Sequence, residues 1–140
     1  MYSLFLDPPT VQISSTIFPV LIGNQVILGC NVVANPAATD VYWIFTDLSN
    51  QQTTIKENTN VAKYGGVTLQ SPSLVLKSAE FSDEGKYTCY ATNSIGTSNS
   101  LTADLDVTGS KLLSPFELLD HFHVSYFDSK IICFTRVISL

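Results

Sequence analysis

Asp83-Glu84-Gly85-Lys86-Tyr87-Thr88-Cys89 is the stretch that decides the fold of this chain. It reads as a turn running into a strand, D-x-G-x-Y-x-C. In the turn, the Asp83 carboxylate can accept hydrogen bonds and Gly85 can supply a positive φ. In the strand, Tyr87, Cys89 and Ala91 share one face by the two-residue period. A second cysteine, Cys30, lies 59 residues earlier in Val26-Ile27-Leu28-Gly29-Cys30, where Val26, Leu28 and Cys30 also share a face. Trp43 follows with Val41 and Phe45 on its side of a third strand. The two cysteines therefore sit on two separate strands, with an indole between them in sequence.

Strand signals recur at short intervals with turn residues between them, which predicts an all-β sandwich. Pro8-Pro9 opens the domain, and Val11 and Ile13 alternate as a first edge strand. Pro19 interrupts Ile17 to Ile22, as an edge strand allows. Gly23-Asn24 turns, and Asn35-Pro36 breaks the strand after Cys30. Thr53 to Ile55 reads as a short edge strand, and Val67 and Leu69 as another after Gly65-Gly66. Leu74 and Leu76 alternate with polar neighbours. Asn93-Ser94-Ile95-Gly96 has hairpin-turn composition, with Gly96 free to take positive φ. Leu101, Ala103, Leu105 and Val107 are expected to face inward on the last strand. No amphipathic helix precedes residue 110. Past Gly109-Ser110 the chain is rich in Leu, Ile and Phe without a clean period. Ser114-Pro115-Phe116-Glu117 offers the start of a short helix to Phe122, and Ile131 to Val137 a strand. The division expected is a lead over 1–8, a sandwich over 9–109, and an irregular tail over 110–140 outside it.

Composition excludes several classes. At 140 residues with 45% apolar and 14% charged residues, the chain can bury one domain's core and is not disordered. Residues 1–109 hold four lysines and no arginine against nine carboxylates, so they carry the whole net charge of −5. Such a domain lacks the clustered cations that a nucleic-acid partner requires. The opening Met1 to Leu6 has no basic residues and is too short for a signal peptide. No apolar run reaches the length of a membrane span. A disulfide-bearing domain normally needs export, so the chain is expected to be a piece of a longer protein.

The stretch from about Pro9 to Thr108 resembles an immunoglobulin superfamily domain. In that family Cys30 and Cys89 look like the disulfide pair joining strands B and F, and Trp43 like the tryptophan that packs on it. Tyr87 looks like the tyrosine corner, built on Asp83 and Gly85, and Leu76 like a core residue of the strand before it. Lys63 stands where the family often places a basic partner for Asp83, although lysine lacks the two-pronged contact of arginine. The segment Ala91 to Gly96 is similar to the F–G turn of intermediate-set domains. No Gly-x-Gly bulge motif of antigen receptors occurs in the last strand. The resemblance implies a two-sheet antiparallel Greek-key sandwich of intermediate-set type.

Its implied function is protein binding without catalysis. The module would belong to a secreted or cell-surface adhesion or immune-recognition protein, partnered by a protein ligand or neighbouring immunoglobulin domains. An intracellular structural module of a giant muscle or cytoskeletal protein is the alternative, since such domains often lack the bridge. Candidate contact residues are Tyr42, Ile44 and Tyr90, which point opposite to Trp43 and Cys89, and the loop residues Asn93 and Ile95. No G-x-S-x-G turn or phosphate-cradling loop marks an enzyme, and no cofactor is implied. Asp120, His121, His123 and Cys133 hold the only clustered metal-ligand types. They lack standard zinc spacing, so no metal is expected. Cys133 reads as an incidental small apolar residue.

Overall fold

The computed structural model describes residues 5–109, together with the backbone of 123–127 and 130–134. Two compact units divide the chain, Met1–Val107 and Thr108–Leu140. The first carries β1 (Asp7–Ile13), β2 (Ile17–Leu21), β3 (Val26–Leu28), β4 (Cys30–Asn35), β5 (Asp40–Asp47) and β6 (Gln52–Ile55). It continues through β7 (Tyr64–Gly66), β8 (Leu74–Leu76), a 3-10 turn at Phe81–Asp83, β9 (Gly85–Thr92), β10 (Thr97–Asn99) and β11 (Ala103–Thr108). The second unit holds an antiparallel hairpin of β12 (His123–Phe127) and β13 (Lys130–Phe134). Among the described residues no helix is long and apolar enough to cross a membrane. The helix expected from Ser114, and the positions of Asp120 and His121, lie outside the described residues. His123 falls on β12 and Cys133 on β13, opposite Phe134 and Val124 in register.

In the first unit, β1 pairs with β4, and β3 pairs with β8, which pairs with β7. The facing sheet has the order β2-β11-β9-β5-β6, with β10 also on β9. The chain crosses from the first layer to the second between β4 and β5. It returns before β7 and crosses again before β9, which is the Greek-key pattern of a sandwich. The fold is thus an immunoglobulin-like β-sandwich.

Alternation along each strand fills the space between layers. Val41, Trp43 and Phe45 of β5 meet Tyr87, Cys89 and Ala91 of β9, and all six are buried. From the other layer come Leu28, Cys30, Leu74 and Leu76, also buried. Phe45 stacks on Tyr87 with ring centroids 4.6 Å apart. Pro19 lies in β2, an edge strand where its missing N–H costs no ladder bond.

Two local expectations need correction. The strand before the D–E turn is Tyr64–Gly66, not Val67 to Leu69. Val67 adopts φ 57°, which is not extended, and Leu69 is exposed. The chain turns there because the Val67 and Thr68 amides donate to the Ser73 and Ser71 carbonyls. Leu101, expected inside, is 73% exposed. Asn99 stands opposite Tyr90 and Ala103 opposite Tyr87, so the last strand holds one residue more than its partner between those points. That β-bulge flips the parity. It turns Ser100 inward, where its hydroxyl accepts the Cys89 amide at 3.1 Å. Gly96 does not take a positive φ. The turn is instead closed by the Asn93 side chain. A Cβ at Gly96 would stand 3.4 Å from Pro8, an ordinary van der Waals contact, so the turn does not demand glycine there.

Candidate functional site

Cys30 and Cys89 are bridged, with Cα atoms 6.6 Å apart. Trp43 stands directly opposite Cys89 in register, and its indole N–H donates to the Pro72 carbonyl at 2.9 Å. The indole therefore carries a polar partner into a dry core, as a buried tryptophan requires. The partner Pro72 is not marked by any local sequence signal.

The turn before β9 is held by charge. Tyr87 Oη donates to the Asp83 carbonyl at 2.8 Å. The Asp83 carboxylate is 1% exposed, accepts the Glu80 amide through Oδ2 at 2.9 Å, and faces the Lys63 ammonium through Oδ1 at 2.6 Å. Oδ1 has no aligned hydrogen-bond donor among the described residues, so Lys63 compensates it as a charge. Lys63 also reaches Glu80 at 3.3 Å. Gly85 follows at φ +152°, and a Cβ there would stand 2.4 Å from the Thr46 carbonyl oxygen. Only glycine fits that approach.

Burial alone would lower the pKa of Lys63, but its 2.6 Å contact with the Asp83 carboxylate and that group's charge outweigh it and hold the ammonium above its usual range. Burial pushes the Tyr87 phenol far up, with the Asp83 charge adding to the effect. In both groups the folded value exceeds the unfolded one. Their contribution is therefore complete below about pH 10 and lost as the pH rises through the folded values. Thermal scans are expected to show Tm level from neutrality to about pH 10 and falling above it. Tyr87→Phe should start about 1–2 kcal/mol lower, having lost the bond to Asp83, and should fall less steeply. An alkaline limb as steep as the parent's would assign it to other groups.

The outer face of β5 and β9 carries a half-buried aromatic pair. Tyr42 and Tyr90 are directly opposite in register and stack at 5.1 Å with their planes 3° apart. Ile44 lies beside them, opposite Thr88 and Thr54. Lys56, which sequence reasoning did not single out, sits 5.2 Å over the Tyr42 ring and bonds Asp40 at 2.7 Å. A second pair, Lys86–Asp104 at 2.7 Å, lies at the other end of the same face. Register is what brings these residues together, since Lys56 is sixteen residues from Asp40.

Asn93 belongs elsewhere. It is 4% exposed, so it is not a surface contact. Its amide donates to the Asp7 and Pro36 carbonyls, and its carbonyl accepts the Ile95 and Gly96 amides. It ties the F–G turn to β1 and to the B–C loop, leaving Ile95 exposed at that pole. In the turn between β5 and β6, Asp47 accepts the Ser49 hydroxyl and the Gln51 and Ser49 amides. The Ser49 hydroxyl and then the Gln51 amide lower its pKa. Among the described residues no three metal-ligating side chains converge.

Comparison with known proteins agrees with this geometry. Residues 8–93 match the family model of the immunoglobulin domain. The chain is 32% identical over 83 residues to the fibroblast growth factor receptor of Ciona intestinalis, covering 57% of this chain and 10% of the receptor. It is 29% identical over 90 residues to the tyrosine-protein phosphatase Lar of Drosophila melanogaster, covering 61% of this chain and 4% of the phosphatase. It thus spans a tenth or less of these curated relatives. Among solved structures, the tandem Ig repeats of Dlar superpose with a TM-score of 0.55 at 27% identity, covering 71% of this chain and 47% of that one. With its bridge, its tyrosine corner and a family match over more than half its length, the chain belongs to the immunoglobulin domain family.

Proposed function

We propose that residues 9–109 form an intermediate-set protein-recognition module of a secreted or cell-surface protein, acting by contact and without catalysis. The observation that carries this is the half-buried Tyr42–Tyr90 stack on the outer face of the sheet, beside Ile44. Aromatic side chains held on a sheet bring large contact area at low entropic cost, which is why they anchor protein interfaces. Charges on the same face are paired internally, Lys56 with Asp40 beside the stack and Lys86 with Asp104 at the other end, so a ligand need not compensate them. The Cys30–Cys89 bridge supports an oxidising compartment. The receptor and the phosphatase among the relatives support the cell-surface setting. Intermediate-set type is supported by β6 leading to β7 with no further strand between Ile55 and Tyr64.

The test is a fluorescent tetramer of the chain applied to intact cells of the source organism. Staining is expected, and the Tyr42→Ser/Tyr90→Ser double variant should lose at least about tenfold in apparent affinity, an ordinary loss for two interface anchors, while still unfolding cooperatively well above the staining temperature. Equal staining by the double variant would contradict this face as the binding surface.

A further inference from the structure

Among the described residues, the outermost strands of the sandwich are not equally guarded. A sheet edge presents unpaired amides and carbonyls, and stable monomers blunt it with proline, charge, bulges or short strands. The β1 edge contains Pro8 and Pro9, the β2 edge Pro19, and β7 is three residues long with two glycines. The β6 edge reads Gln52-Thr53-Thr54-Ile55. It has no proline, glycine or charge. It pairs regularly with β5 from Trp43↔Ile55 to Thr46↔Gln52, and Gln52, Thr53 and Thr54 are all exposed. Among the described residues its outward backbone groups meet no partner. Lys56, the nearest lysine, is drawn onto the sheet face by Asp40 and Tyr42, so it does not screen the edge.

We propose that β6 is a self-association edge, joining a second copy of this chain by antiparallel strand pairing about a two-fold axis. This goes beyond the recognition reading and does not depend on it. A two-fold perpendicular to the sheet must place a residue opposite itself for both copies to keep the same inner and outer faces. With Thr54 on the axis, Thr54 meets Thr54, Thr53 meets Ile55, and Gln52 meets Lys56. Threonine–threonine and threonine–aliphatic cross-strand pairs are favourable, and no like charges face one another. The charge balance favours this edge over other surfaces, since a domain of net charge −5 repels its own copy wherever carboxylates are unpaired. A four-residue edge gives an interface at the small end of the range, so the association is weak and reversible.

Sedimentation velocity on the oxidised full chain up to about 1 mM, the concentration that weighs an interaction of about 4 kcal/mol, tests it. The parent should show a reversible, concentration-dependent rise in mass. Thr54→Lys and Thr54→Glu should each weaken association at least tenfold, while an equimolar mixture of the two restores it by placing opposite charges across the axis. Thr10→Lys, on the β1 edge, should change nothing. A parent that stays monomeric throughout would overturn the proposal and leave the edge to an extended peptide from another protein. Association indifferent to Thr54→Lys, or no recovery in the mixture, would overturn it equally. None of these outcomes bears on the tetramer staining.

Discussion

Cys89→Ala is expected to lower the unfolding free energy by about 2–5 kcal/mol. The bridge closes a 59-residue separation, for which the chain-entropy model gives ~4 kcal/mol by restricting the unfolded state. Packing adds to this, because Cys89 is fully buried against Trp43 and truncation leaves a void. Two readouts separate the contributions. Urea unfolding of the parent in a reducing buffer should reproduce most of the loss, since only the crosslink is removed. The m-value should rise in both cases as the unfolded chain becomes more open. A variant with the parent's midpoint in oxidising buffer would mean that the crosslink does not support the fold.

Lys63→Met should cost about 3 kcal/mol, near the lower end for breaking a buried ion pair. The Asp83 carboxylate would stay 1% exposed, with its Oδ1 facing no cation, while the methionine kept much of the packing. The lower end applies because the Lys63 side chain is itself 24% exposed, so water already shares in its solvation. The contrast is Lys56→Met. Its pair with Asp40 is shorter than many, but the two side chains are 52% and 42% exposed, and such pairs contribute less than about 1 kcal/mol. Chemical denaturation of both variants checks the ranking, and equal costs would contradict the role given to burial.

Where a strand's inner face carries large apolar residues at period two, the sequence is sufficient. Val41, Trp43 and Phe45, and Tyr87, Cys89 and Ala91, are legible because a one-residue slip would expose all of them. For the same reason Tyr42 and Tyr90 can be placed on the outer face from parity alone. Their stacking cannot, because it depends on the register between β5 and β9. The misplaced residues share a different physics. Leu101 is carried outward by a bulge whose compensation is one hydroxyl, Ser100, bonding the amide of Cys89. Val67 sits at a turn conformation that its β-branched side chain disfavours. It is held there by backbone bonds to Ser73 and by burial of the side chain. Asn93 looks like a surface loop residue by composition, yet it binds backbone from two segments 86 and 57 residues away. Local pattern reports which face a residue prefers. It does not report which distant carbonyls need a donor.

The Cys30–Cys89 bridge joins the fold to the proposed extracellular setting. Intact-mass analysis of protein from its native source, alkylated in denaturant without reduction, tests this most directly. The chain has three cysteines. A single alkyl group, mapped to Cys133, is the predicted result, and three alkyl groups, with Cys30 and Cys89 both labelled, would contradict it.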